Sequence, residues 1–133
     1  MKSLLDTDTC VFWLRGSASV RNHLEAVDLE SVAVSVVTLA ELRYGADCST
    51  CPEDNHQAID NFVNGITILD TDSEVARSFG EIKARLRKEG KLIEDFDLLI
   101  AATAQVHNLC LVTNNVKHFN RIDDLRLENW VTK

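Results

Sequence analysis

Short apolar runs separated by stretches of helical pattern constrain this chain more than any other feature. The runs are Lys2 to Leu5, Val32-Ala33-Val34, Ile66-Thr67-Ile68-Leu69, Leu109-Cys110-Leu111-Val112 and a last one near Leu127 to Val131. Unbroken runs of this length suit strands covered on both faces, as in a parallel sheet; a sheet with one wet face alternates apolar and polar residues instead. Between the runs, Val75, Phe79, Ile82 and Leu86 recur at helical spacing, with Thr71-Asp72 to start that helix and Gly90 to stop it after Glu89. Leu98 to Val106 reads as a buried helix opening near Asp97, and Thr38 to Tyr44 as a helix closed by Gly45. Strand–helix alternation predicts an α/β/α sandwich around a central parallel sheet, with the last run as an edge strand. No repeat or linker interrupts it, so residues 1–133 are expected to form one domain, long enough to bury a core.

The balance of charge narrows the functional choices. Twenty-one acidic against fourteen basic residues leave a net charge of −7. Such a chain does not attract a polyanion through its average field. A nucleic-acid function needs cations to mask acidic groups, and basic residues gathered locally. No apolar run approaches the roughly 20 residues of a membrane helix, and Met1 to Asp6 meets an acid too early for a secretory leader. A cytoplasmic protein with reduced thiols is expected.

Three acids stand where such a fold gathers ligands. Asp6 closes the first strand, Glu41 lies one turn into the helix after the second, and Asp97 opens the helix before the fourth. Asn115 follows that fourth strand after Thr113 and Asn114. Sites in open α/β sheets form beyond the carboxyl ends of the strands, where residues distant in sequence converge. Clustered carboxylates repel and are stabilised together by a hard cation such as Mg²⁺, which lowers the pKa of a water and polarises a phosphate oxygen. Aspartate is also a favoured helix N-cap, so position alone leaves both readings of Asp6 and Asp97 open.

The local strings carry more information than the spacing. Leu4-Leu5-Asp6-Thr7-Asp8 resembles the opening of VapC-like PIN domains. Ser35 to Gly45, with Glu41 ahead of Leu42-Arg43-Tyr44-Gly45, is similar to their second motif. Asp97-Leu98-Leu99-Ile100-Ala101-Ala102 resembles the third, and Leu111-Val112-Thr113-Asn114-Asn115 with His118-Phe119 the fourth. Leu125 to Trp130 also resembles the ending of that group. The resemblance spans nearly the whole chain in order. It implies a three-layer PIN fold and an endoribonuclease dependent on Mg²⁺ or Mn²⁺. Residue by residue, it assigns Asp6, Glu41 and Asp97 as the acidic triad, with Asp6 and Asp97 the principal metal ligands and Asn115 at the catalytic site. Asp8 departs from the Asn common at its position, and Asn115 from the fourth Asp of many PIN domains, which puts a second metal in doubt. The resemblance further implies a VapB-like antitoxin partner seated in an apolar groove, a homodimer, and an RNA substrate, tRNA first and ribosomal RNA next.

Other features weigh less. Lys83, Arg85, Arg87, Lys88 and Lys91 cluster on the long helix and just past its end; they fit a solvated face paired with Glu81 and Glu89, or a patch that tracks phosphates together with Thr113. Cys48 and Cys51, with His56 nearby, lack the second pair of ligands a structural zinc wants. Cys10 and Cys110 read as small core residues. Phe12, Trp13 and Leu14 read as core, or in part as the wall of a groove for a partner helix. Tyr44 and Phe119 are too few to suggest base stacking, and His107 and His118 have no partner that the sequence identifies. Two alternatives remain: a receiver-type signalling domain phosphorylated on Asp70, with Asp6, Asp8, Thr113 and Lys117 in support, and a PIN-like binding module without catalysis.

Overall fold

The computed structural model describes residues 1–131. Five strands form one sheet: β1 (Ser3–Leu5), β2 (Val32–Ser35), β3 (Thr67–Leu69), β4 (Cys110–Val112) and β5 (Leu127–Glu128). Their order is β3-β2-β1-β4-β5 and every pairing is parallel. Seven α-helices connect them: α1 (Thr7–Leu14), α2 (Ala18–Ala26), α3 (Val36–Asp47), α4 (Pro52–Val63), α5 (Ser73–Lys88), α6 (Asp95–Val106) and α7 (Val116–Phe119).

The pleat of the sheet sorts alternate residues into two cores. Leu4, Ala33 and Leu111 face one side, where Val75, Ile82 and Leu86 of α5 and the Leu98–Ala104 run of α6 cover them. Leu5, Val34 and Val112 face the other, against Cys10, Val20, Leu42, Ile59 and Phe62 from α1 to α4. Each of these strand residues is 0 % exposed, the reason the runs carry no polar alternation. The predicted three-layer fold with a central parallel sheet is the one observed, with β5 at an edge.

Boundaries differ in instructive ways. α3 continues through Gly45 to Asp47, because that glycine stays out of the positive-φ region and is followed by Ala46, a strong helix former. α6 opens at Asp95, two residues before Asp97, so Asp97 sits inside the first turn rather than capping it. Leu109 is tied back to α6 by its N–H on the Ala104 carbonyl at 2.8 Å, and β4 starts only at Cys110. Leu14 lines a groove, whereas Trp13 packs on Phe62, with ring centroids 4.7 Å apart, and is covered by the Arg21 guanidinium. Cys10 is fully buried but Cys110 only partly, near Glu128.

Candidate active site

Parallel strands deliver their carboxyl ends to one edge of the sheet, and four elements place three acids and an amide there. Asp6 follows β1 and caps α1: its Oδ1 accepts from the Thr9 N–H at 2.8 Å, and its own N–H bonds the Val112 carbonyl at 3.0 Å. Capping and the sheet ladder therefore fix this carboxylate twice. Glu41 comes from α3, the helix that leaves β2. Asp97 comes from the first turn of α6, and Asn115 from the start of α7 after β4. All four line one pocket of about 180 Å³, joined by Thr7, Asp8, Glu94, Phe96 and Phe119.

The pocket is a field of negative charge held by hydroxyl and imidazole donors. Thr7 Oγ1 donates to Glu41 Oε1 at 2.6 Å, with Thr38 Oγ1 3.2 Å away on the same hydroxyl. His118 Nε2 lies 3.1 Å from Asp97 Oδ2 and gives that carboxylate a charge partner. Burial pushes the Asp6 carboxyl above the ordinary range; hydrogen bonds from Thr113 and Thr9 oppose it, and the charge of Asp8 adds to it. Burial also raises Asp97, against the pull of His118 and with the push of Asp8 and Glu94. Two carboxyls held above their usual value beside further acids are what a cation would relieve. The donor set is all oxygen, which suits a hard divalent ion. Among the described residues no three acid, His or Cys side chains already stand close enough to share one ion. Glu41 is engaged by Thr7 and Asp97 by His118, so the donors line the pocket without closing on a point.

The other residues singled out in the sequence go to different places. Thr113 is buried behind Asp6, and its Oγ1 accepts from the Asn115 N–H at 2.9 Å. The basic residues of α5 do not form one patch. Lys83 pairs with Asp95 at 2.8 Å and lies over the Phe79 ring, Arg85 turns toward Asp123, and Arg87 and Lys88 are exposed. Cys48 and Cys51 are exposed thiols, and the His56 ring is held by Arg43 and Asp47 rather than by either sulfur. Tyr44 is exposed and Phe119 is core. His118 does have a partner, Asp97, twenty-one residues away. Sequence reasoning missed that pair, along with Thr7, Glu94 and Phe96 of the pocket. Only Thr7, which stands between the two flagged acids Asp6 and Asp8, had a signal that would have found it.

Comparison with known proteins decides what kind of site this is. The model of the PIN domain matches residues 3–125. The chain belongs to the PIN-domain family. Within it, the chain is 40% identical over 131 residues to the tRNA(fMet)-specific endonuclease VapC of Shigella flexneri, covering 98% of each. It is 41% identical to the ribonuclease VapC2 of Haemophilus influenzae, covering 98% of this chain and 99% of that one. Its fold superimposes on the VapBC2 structure from Rickettsia felis, solved with a promoter DNA fragment, with TM-score 0.92 and 37% identity over 98% of this chain and 100% of the other. DNA-bound VapBC from Salmonella typhimurium gives TM-score 0.94 at 34% identity, over 98% and 99% of the two chains. This PIN-domain chain is thus a VapC-type ribonuclease, of a family that works with a metal. The receiver alternative falls with the match, and Asp70 is an exposed residue outside the acidic pocket. Among the described residues no helix is long and apolar enough to cross a membrane.

Proposed function

We propose that this PIN-domain chain is the toxin of a type II toxin–antitoxin pair, acting in the cytoplasm as a Mg²⁺-dependent endoribonuclease on RNA phosphodiesters. The named specificity of the Shigella relative makes tRNA the first substrate to try. The observation that carries the reading is the convergence of Asp6, Glu41, Asp97 and Asn115, from four separate elements, on one pocket at the carboxyl edge of the sheet. Mg²⁺, or Mn²⁺ in its place, supplies a water of lowered pKa and offsets charge that builds on the phosphate.

The roles of the chain's own residues follow from how each is held. Asp6 is the fixed ligand, anchored by its cap bond and by the ladder. Glu41, now on the Thr7 hydroxyl, and Asp97, with one oxygen on His118, would be the residues to complete the set. Asn115 adds an amide without charge, so the pocket carries one acid fewer to balance. Phe96, 54% exposed at the rim, offers a ring face on which a base can stack.

A groove of about 310 Å³ runs between α1, α3 and α4, lined by Val11, Leu14, Leu42, Ala46 and Ile59. It shares Thr7 and Glu41 with the acidic pocket. An apolar helix or tail of a VapB-like antitoxin fits this groove, and a basic side chain from it would reach the acids. The active assembly is taken to be a homodimer. Purified chain incubated with total tRNA should cut it in Mg²⁺ and not in EDTA. Undiminished cutting in EDTA defeats the reading, as does failure to cut tRNA or ribosomal RNA with either ion.

A further inference from the structure

A substrate track is needed beside any acidic nuclease pocket in a protein of charge −7. α5 does not supply it, since its cations are dispersed around the helix. A different group converges next to the site. Helix α5 ends in a turn where the Gly90 N–H bonds the Arg87 carbonyl at 3.2 Å and the Lys91 N–H bonds the Leu86 carbonyl at 2.9 Å. Gly90 takes φ +67° there, a conformation that L side chains rarely adopt. This turn swings Lys91 off the helix axis and toward α7. Arg121, just past α7, donates Nη1 to the Leu92 carbonyl at 3.2 Å and ties the two segments together. Lys91, Lys117, Asn120 and Arg121 then surround a pocket of about 440 Å³ with no carboxylate in its wall. All four are exposed, and none of the three cations makes an ion pair among the described residues.

α7 is the shared wall. Asn115 and Phe119 line the acidic pocket, while Lys117 and the following Asn120 and Arg121 line the basic one. A helix with its side chains is about 10–12 Å across, so the two pockets lie within the span of a few nucleotides of one strand. Three cations without ion pairs and an amide donor form an anion site; beside an acidic centre, they fit a backbone in which one phosphate would meet the metal and another a few nucleotides along meets ammonium and guanidinium groups.

We infer that the pocket formed by Lys91, Lys117, Asn120 and Arg121 holds a backbone phosphate of the RNA strand within a few nucleotides of the one being cut. This rests on the ribonuclease reading. Contacts to phosphate carry no base information, so the pocket sets register and affinity, not sequence choice.

The test is the salt dependence of binding. Fluorescein-labelled single-stranded RNA is titrated with the Asp97→Asn protein, which leaves it uncut, across a range of KCl. Each phosphate contact contributes about 0.7 to the slope of log K against log salt. Adding Lys91→Ala and Lys117→Ala should lower that slope by about 0.7, the share of the one phosphate the pocket holds, and weaken unrelated RNA sequences alike. Adding Arg87→Ala and Lys88→Ala, an equal change of charge on α5, should leave the slope within about 0.3, less than half of one such contact. An unchanged slope in the first variant, or an equal drop in the second, overturns the assignment. Cleavage by the parent protein, measured alongside, separates the two claims. If the parent cuts RNA and the slope does not move, only the pocket assignment is lost; if the parent cuts nothing, the ribonuclease reading fails with it.

Discussion

The two walls of the acidic pocket are built differently. On the β1–α3 side, Asp6 is 4% exposed, caps α1 and is laced to β4, and the Thr7 hydroxyl ties α1 to Glu41. On the α6–α7 side, neither N-cap residue, Glu94 or Asn115, makes a side-chain capping bond. Asp97 there is half-buried and depends on His118 for its partner. One wall is part of the folding framework and the other is hung on it. If the proposed site is right, loss of Asp6 should therefore remove structure and chemistry together, and loss of Asp97 chemistry alone.

Substitution breaks this contrast most directly. Asp97→Asn should lower RNA cleavage by at least about 10²–10³-fold, as expected where a charge that stabilises the transition state is lost, with the melting temperature unreduced. Asp6→Asn should be as inactive and equally well folded, because Asn is also a good N-cap. Asp6→Ala should be inactive and also less stable by about 0.5–2 kcal/mol, read by urea denaturation. Equal stability of Asp6→Ala and Asp97→Ala would erase the distinction between the walls. Retained activity in Asp97→Asn would remove the site altogether.

Protons and metal sharpen the comparison next. Burial raises both Asp6 and Asp97 above the usual 3.8. A raised acid keeps its proton longer in the folded chain than in the unfolded one. The stability it contributes is therefore full below pH 3.8 and is lost as pH rises through the raised pKa. In EDTA, the wild-type protein should lose stability over that window, and Asp6→Asn should lose less, since the deeper carboxyl is the one removed. At neutral pH, Mg²⁺ should recover about 2.7 kcal/mol at about a hundredfold excess over Kd. Neither Asn variant should gain as much. Thermal melts at several pH values with and without metal decide it; a wild-type melting temperature indifferent to Mg²⁺ at neutral pH contradicts the proposed site.

The sequence carried the sheet because buried strands must be apolar on both faces, and Leu4-Leu5 or Val32-Ala33-Val34 have no other use. Position flagged the acids Asp6, Glu41 and Asp97 and the amide Asn115, but position alone left helix capping open, and the resemblance of the local strings is what singled them out. The other half of the helices was harder. α1 keeps its polar residues in the first turn, Thr7 to Thr9, and is apolar on every side from Cys10 to Leu14, so no stripe marks it. α4 announced itself through Pro52 at its first turn, followed by Glu53 and Asp54 and then Ile59 and Phe62, but the cysteines drew attention elsewhere. Gly45 looked like a stop, yet a glycine ends a helix only when the next turn needs positive φ, and here it does not. His118 was illegible for a different reason: its bond to Asp97 exists only once α6 and α7 are packed. Charge on α5 misled in the same way, because the sequence gives the number of cations and not the directions they face.

His118 probes the hung wall alone. Outer partners of ligating residues are worth about 10–100-fold in metal affinity when removed. His118→Ala should weaken Mn²⁺ binding by about that factor, measured by calorimetry, with Kd rather than kcat taking most of the change. His118→Gln, which keeps an N–H donor, should recover part of it. Weakening of the same size in both variants would mean the imidazole acts through packing on Phe119, with which it makes an edge contact at 5.5 Å.

The smallest effect is expected at Thr7, in the framework wall. Its hydroxyl donates to Glu41 at 2.6 Å, and Thr7→Val keeps the shape while removing the donor. Hydrogen bonds to charged groups contribute about 1.5–3 kcal/mol when buried, but Glu41 is only half-buried and water replaces much of the loss. Cleavage should fall by about three- to tenfold, or about 0.7–1.4 kcal/mol, with stability unchanged within about 0.5 kcal/mol. The Asp6 cap and the ladder remain, so a larger loss of stability would show that Thr7, and not Asp6, is what binds this wall to the sheet.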